Sequence, residues 1–187
     1  MPSPLGHALA GLSIAWVADA ITPSRRRPVV ETRSGGLYNA LGGGFAIVCG
    51  LVAASPDLDV LIGSHRIYSH TLGAAVLAGL LAALCAVLAR LPVVRTGIVC
   101  GAAYATHVLL DWLGKDSASP HGIMALWPLS SAFYTSGANL FFEISRRYWT
   151  PDEFILGNAQ SIGWEMVVML PIAAAAWGIR RRRGTRG

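Results

Sequence analysis

The sequence predicts an all-α membrane protein, a polytopic bundle of about five transmembrane helices with a long outer segment between the fourth and fifth. Three observations carry that prediction. Hydrophobic residues make up 53% of the 187 and charged residues only 13%, where a soluble domain carries about 25% charged residues. Half the usual supply cannot build a soluble surface, so lipid covers much of this one. The apolar run Thr71 to Ala89 carries no charged residue over 19 positions. As a helix rising about 1.5 Å per residue it crosses a hydrocarbon core of roughly 30 Å. Finally, eleven of the fifteen basic residues fall in three short clusters beside apolar segments, where residues that set membrane topology belong.

The apolar segments follow in order. The first runs from about Leu5 to Ile21 and the second from about Leu37 to Ser55. The third covers about His70 to Leu91, the fourth about Val93 to Leu113 and the fifth about Ile162 to Ile179. The first, second and fourth contain Gly, His or Asp, so neighbouring helices should shield them. Small residues recur, among them Gly42 to Gly44, Ala102 and Ala103, and Ala173 to Ala176, and they let helix backbones approach closely in lipid. The whole chain, 1–187, reads as a single membrane domain. Residues 114–161 are a candidate lid and 180–187 a basic cytoplasmic tail.

Several function classes fall away. The net charge of +5 is accounted for by the juxtamembrane arginines, so no nucleic-acid partner is expected. The triple glycine lacks the following Lys-Ser/Thr of a phosphate loop. Cys49, Cys85 and Cys100 lie inside apolar stretches with no CxxC and read as small buried hydrophobes. Ala18-Asp19-Ala20 resembles a signal cleavage site, but Arg25, Arg26 and Arg27 follow the apolar run and no basic residue precedes it.

The basic residues also orient the bundle. With the N-terminus outside and five spans, Arg25, Arg26, Arg27, Arg33, Arg90, Arg95, Arg180 to Arg183 and Arg186 face the cytoplasm. Only Arg66, Lys115, Arg146 and Arg147 stay outside. In that topology every histidine lies at the outer side, and so do eight of the ten acidic residues, Asp19 and Glu31 being the exceptions. Ionisable groups gathered at one membrane depth are costly and mark function.

His107 and Asp111 lie one helical turn apart on one face, where imidazole and carboxylate can bind one ion. Asp57 and Asp59 follow Pro56, a helix end or turn, and two carboxylates there can bind one metal or bridge two. His65 and His70, five residues apart, should not share a helix face, which puts His65 in a loop and His70 at the helix start. Mixed histidine and carboxylate ligands suit a divalent metal, zinc first, with manganese and iron as alternatives.

The residues Met1-Pro-Ser-Pro-Leu-Gly-His7, Pro56-Asp-Leu-Asp59, His65-Arg66-x-x-Ser69-His70, His107-x-x-x-Asp111 and Gly122-x-x-x-Leu126-Trp127-Pro128 occur in that order. Together they resemble the YdjM-type family of inner-membrane, metal-dependent hydrolases. That family is in turn distantly similar to zinc-dependent phospholipase C and zinc-dependent single-strand nucleases. The resemblance implies a metal set of His7, Asp59, His70, His107 and Asp111, with Asp116, His121 and Glu165 as further candidates. It departs from those enzymes in having six residues before His7, where they use the free amino terminus as a ligand.

The expected activity is hydrolysis of a phosphoester by a metal-activated water. Asp57 or Asp59 would accept a proton, and Arg66 would pair with a phosphate oxygen or with one of the two aspartates. His65, beside Arg66, is grouped with these catalytic candidates. A site at the outer boundary suggests a lipid or lipid-linked substrate, with membrane lipid as the constant partner. The oligomeric state is not legible. Two alternatives stand beside this reading: a non-catalytic membrane protein with a structural metal, and an ion or proton transporter. The apolar third segment disfavours the transporter.

Overall fold

In a computed structural model the described residues are 1–21, 38, 41–62, 67–117, 119–145 and 148–184. Five α-helices account for most of them: α1 (Pro4–Ile21), α2 (Gly44–Ala54), α3 (Leu72–Leu88), α4 (Val93–Leu113) and α5 (Asn158–Gly184). A 3-10 segment, Ser55–Ile62, continues α2, and a π turn, Glu153–Gly157, leads into α5. Strand pairing among the described residues is limited to two isolated bridges, Gly114 with Phe141 and Ile123 with Tyr134.

Local chemistry sets the boundaries. Pro4 opens α1, where its missing N–H is no loss. Within the described residues of the second apolar segment, α2 begins at Gly44, directly after Gly42 and Gly43 adopt φ of 101° and 79°, left-handed values that interrupt a helix. Thr71 caps α3 by accepting the Ala74 N–H at 2.9 Å. The helix ends where Arg90 turns to φ 55° and the Leu91 N–H returns to the Ala86 carbonyl at 2.8 Å. The fourth segment forms over Val93–Leu113, as the sequence predicts.

Among the described residues, three helical stretches are long and apolar enough to cross a membrane: Pro4–Ile21, Val93–Leu113 and Phe154–Arg183. In the most apolar 18-residue part of the last, only 22% is buried within the protein, so most of its apolar surface faces outward. Helix α3, at 17 residues, is apolar but shorter than the uncharged run promised, since the Thr71 cap and the Arg90 turn take up the ends. It too turns its bulk outward, with Val76, Leu80, Leu84 and Leu88 all exposed. Apolar faces of this extent require lipid or protein cover. Helix α2 has 11 residues, about half the length a span needs.

The helices alternate in direction. The start of α1 meets the end of α4 through His7 and Asp111, and the end of α1 meets the start of α4 through Asp19 and Arg95. Helix α5 runs with α1, touching Ser3 through Glu165 at one end and Asp19 through Arg180 at the other. Between the ends lies a core of small residues and one large one: Ala15 and Trp16, Ala46 and Cys49, Cys100 and Ala103, Ala173 and Ala176. Backbones come very close there. A Cβ on Gly11 would sit 2.3 Å from the Cys49 carbonyl oxygen, so α1 and α2 pack at a distance only glycine permits. All three cysteines are free. Cys49 and Cys100 are buried, while Cys85 is exposed on the outward face of α3.

Residues 114–145, apart from 118, form no helix and are tied to the bundle by backbone hydrogen bonds. The Leu72 N–H reaches the Ala125 carbonyl, the Leu140 N–H the Leu113 carbonyl and the Ser136 N–H the Trp112 carbonyl. The indole N–H of Trp164 donates to the Leu140 carbonyl. This segment therefore lies at the end of the bundle where α4 stops and α3 and α5 begin.

Candidate metal centre

Four helix ends converge there, and each carries a chemistry-bearing side chain. His7 lies in the second turn of α1, Asp57 and Asp59 on the 3-10 segment after α2, and His70 just before the α3 cap. His107 and Asp111 lie one turn apart near the end of α4. His7, His70 and His107 are each 0% exposed and Asp111 4%.

The tightest grouping is a triangle. His107 Nε2 lies 3.2 Å from Asp111 Oδ2 and 3.2 Å from His70 Nδ1, and His70 Nδ1 lies 3.1 Å from the same Asp111 oxygen. Nitrogen and oxygen ligands about 2.0–2.1 Å from a tetrahedral zinc stand about 3.3 Å from one another. The three atoms therefore have the spacing of one face of a zinc coordination shell.

The protonation of His107 sharpens this. Its Nδ1 lies 2.8 Å from the Ala53 carbonyl oxygen, which can only accept. Nδ1 must therefore carry a proton, and in the neutral ring Nε2 holds a lone pair. That lone pair faces a carboxylate oxygen, another acceptor. The arrangement is repulsive unless a cation, a proton or a metal ion, lies between them. A backbone carbonyl on one imidazole nitrogen with the other left open is how proteins orient a metal-binding histidine.

Around the triangle stand His7 and the two aspartates. The His7 ring stacks on His107 with centroids 3.7 Å apart, and its Nε2 lies 3.4 Å from Asp111 Oδ1. Neither His7 nitrogen has a hydrogen-bond partner, although both are buried, and Asp111 Oδ1 has none either. Buried polar atoms of this kind point to a group that completes them. Asp57 Oδ1 is 3.9 Å from His107 Nε2. His7, Asp57 and His107 form a second set whose ligand atoms lie within 4.8 Å of one another. Because both sets use His107, the centre is one continuous cluster.

Asp59 is placed differently from Asp57. Its Oδ2 lies 3.5 Å from His70 Nε2, the ring nitrogen that is not part of the triangle, and it accepts the Ser69 hydroxyl at 2.5 Å. Neither ligand grouping among the described residues includes it.

The weaker sequence candidates lie elsewhere. Glu165 is buried, and its Oε2 accepts the Ser3 N–H at 3.0 Å. Its carboxylate caps the start of α1 over Gly6, where a Cβ would collide with Oε1. The resemblance made it a further metal candidate; the structure gives it a helix N-terminus, which attracts negative charge. Asp116 accepts the Gly122 N–H at 2.7 Å, and His121 is exposed beside the Asp116 carbonyl. Neither belongs to the ligand groupings among the described residues. His65 and Arg66 lie outside the described residues. Sequence reasoning missed Tyr104, whose hydroxyl donates to the Ser69 carbonyl at 2.7 Å. The signal was its place on α4, three residues before His107 and so on nearly the same face.

Residues 1–184 match the YdjM inner membrane protein family. The chain belongs to that family. The match takes in every helix and every residue of the cluster, so this YdjM member is similar to its family along nearly its whole length. No curated protein and no solved structure matches it.

Proposed function

We propose that this chain is a metal-dependent hydrolase of the membrane, acting on a phosphoester, with a lipid or lipid-linked phosphoester as the substrate class. The observation that carries this reading is the His107 lone pair. Fixed by the Ala53 carbonyl, it points at a buried carboxylate and calls for a cation between them. Zinc fits the mixed donor set best, and manganese and iron fit next. A bound divalent ion supplies Lewis acidity toward a phosphoryl oxygen and lowers the pKa of water.

The chain's own residues then divide the work. His70 Nδ1, His107 Nε2 and Asp111 Oδ2 hold the ion, and Asp111 also offsets its charge. His7 braces the His107 ring and offers a further nitrogen. The Asp57 side chain is 18% exposed, more open than the histidines around it, which makes it the carboxylate best placed to take a proton from an incoming water. In the orientation set by the arginines, the centre lies at the outer face of the inner membrane, the C-terminus is cytoplasmic, and of the five passes the second is made by the short α2 with the 3-10 segment that continues it.

The near-complete burial of the three histidines favours one other reading, a closed structural metal that holds helix ends together. A single experiment separates the two. The protein purified in detergent is assayed for bound metal and for hydrolysis of a generic phosphodiester, before and after chelation. Metal-dependent hydrolysis supports the enzyme. Retained metal without hydrolysis, and a lower melting temperature after chelation, supports the structural site. Full hydrolysis by the metal-stripped protein ends both.

A further inference from the structure

The segment that delivers His70 to the centre is fixed from three directions, and none of the fixing groups belongs to the triangle. From α4, the Tyr104 hydroxyl donates to the Ser69 carbonyl at 2.7 Å. From the 3-10 segment, Asp59 accepts the Ser69 hydroxyl at 2.5 Å and faces His70 Nε2 at 3.5 Å. From α3, Thr71 donates its hydroxyl to the Tyr68 carbonyl at 3.0 Å and caps the helix through Ala74. A ring held this way has a defined face and a defined pair of nitrogens.

We infer that Asp59, Ser69 and Tyr104 are positioning residues for His70, and that Asp59 is not itself a metal ligand. They turn the ring so that Nδ1 faces His107 and Asp111, and they keep the proton on Nε2. A carboxylate faces each nitrogen, Asp59 at 3.5 Å from Nε2 and Asp111 at 3.1 Å from Nδ1; with an ion shared between Nδ1 and Asp111, the proton goes to Nε2, where Asp59 accepts it. The two histidines of the triangle thus present opposite nitrogens, Nδ1 from His70 and Nε2 from His107. Each is set by an acceptor behind it, Asp59 for one and the Ala53 carbonyl for the other. This rests on the reading of the cluster as a metal centre and specifies how that centre is built. Ser69 ties the two halves together, since its hydroxyl orients Asp59 while its carbonyl is pinned by Tyr104.

The test is cobalt(II) loading of the full chain in detergent, read by ligand-field absorption and by affinity titration. Asp59→Asn, Ser69→Ala and Tyr104→Phe should keep the wild-type absorption bands, because the donor atoms are unchanged. Each should weaken cobalt binding, Asp59→Asn by roughly 10–100-fold and the other two by less. Ser69→Thr, which keeps the hydroxyl, should restore wild-type affinity. Asp111→Asn, which alters a donor, should change the bands. Long-range proton–nitrogen correlation of the zinc-loaded, histidine-labelled protein should place the His70 proton on Nε2 and the His107 proton on Nδ1. Altered bands in Asp59→Asn would make Asp59 a ligand and overturn the inference. So would unchanged affinity in both Asp59→Asn and Ser69→Ala, or a His70 proton on Nδ1. These outcomes leave the metal centre standing, whereas a wild-type chain that takes up neither cobalt nor zinc removes both.

Discussion

The two ends of the bundle each bring polar groups from the same helices together, and they do so with opposite electrostatics. At one end Asp19 of α1 is met by Arg95 of α4 at 2.5 Å and by Arg180 of α5 at 3.2 Å, while Arg183 donates to the Ala20 carbonyl. The carboxylate there has its cations within the chain, and all three side chains keep 20% or more of their surface exposed. At the other end Asp111 is fully buried and faces three imidazoles, one of them held by its backbone partner with a lone pair forward. The first end is a finished ion-pair clamp. The second is a set of imidazole donors gathered around one buried carboxylate. The same chemical vocabulary, carboxylates with nitrogen bases, gives a fastening where the base is a permanent cation and a candidate ion site where the base is an imidazole.

The strongest way to break that comparison is Asp111→Asn. An amide keeps the shape of the side chain and removes its charge, so bound metal per protein should fall at least about tenfold, with hydrolysis falling in step. Metal analysis on matched preparations decides it, and an unchanged metal content would sink the contrast between the ends. Next in size is Gly11→Val, which forces α1 away from the Cys49 carbonyl between the two ends. The expected loss is about 1–3 kcal/mol of stability, seen as a lower melting temperature in detergent.

Asp19→Asn should act on the fastening alone. Stability should drop by about 1–2 kcal/mol, between the values for exposed and buried pairs, while metal content stays at the wild-type level. A loss of metal in this variant would mean that the two ends are not independent. The smallest effect belongs to His121→Gln. That side chain is exposed beside the Asp116 carbonyl, and neither metal content nor melting temperature should move beyond error. The comparison also has a direction. Reporter fusions at Arg183 and Ser136 should give opposite compartment signals, and matching signals would reject the proposed orientation.

By itself the sequence determined the helical class and the approximate place of all five helices, because hydropathy and charge clusters are local properties that lipid reads directly. It also singled out His70, His107 and Asp111, since an i, i+4 pair and a histidine at a helix start are visible in one dimension. Where a helix could begin or end was less legible. The glycine break before Gly44 and the Thr71 cap depend on backbone angles and hydrogen bonds that composition only hints at. Tertiary structure alone separated Asp57 from Asp59. The two are two residues apart with the same chemistry, yet one approaches His107 Nε2 and the other the far nitrogen of His70. It alone gave Glu165 to the start of α1, and it alone brought in Tyr104 and the Ala53 carbonyl. The physical reason is common to all of these. Which nitrogen of a ring carries the proton, and which carboxylate faces a lone pair, are fixed by groups contributed from other helices. Those groups become neighbours only when the ends of the bundle close.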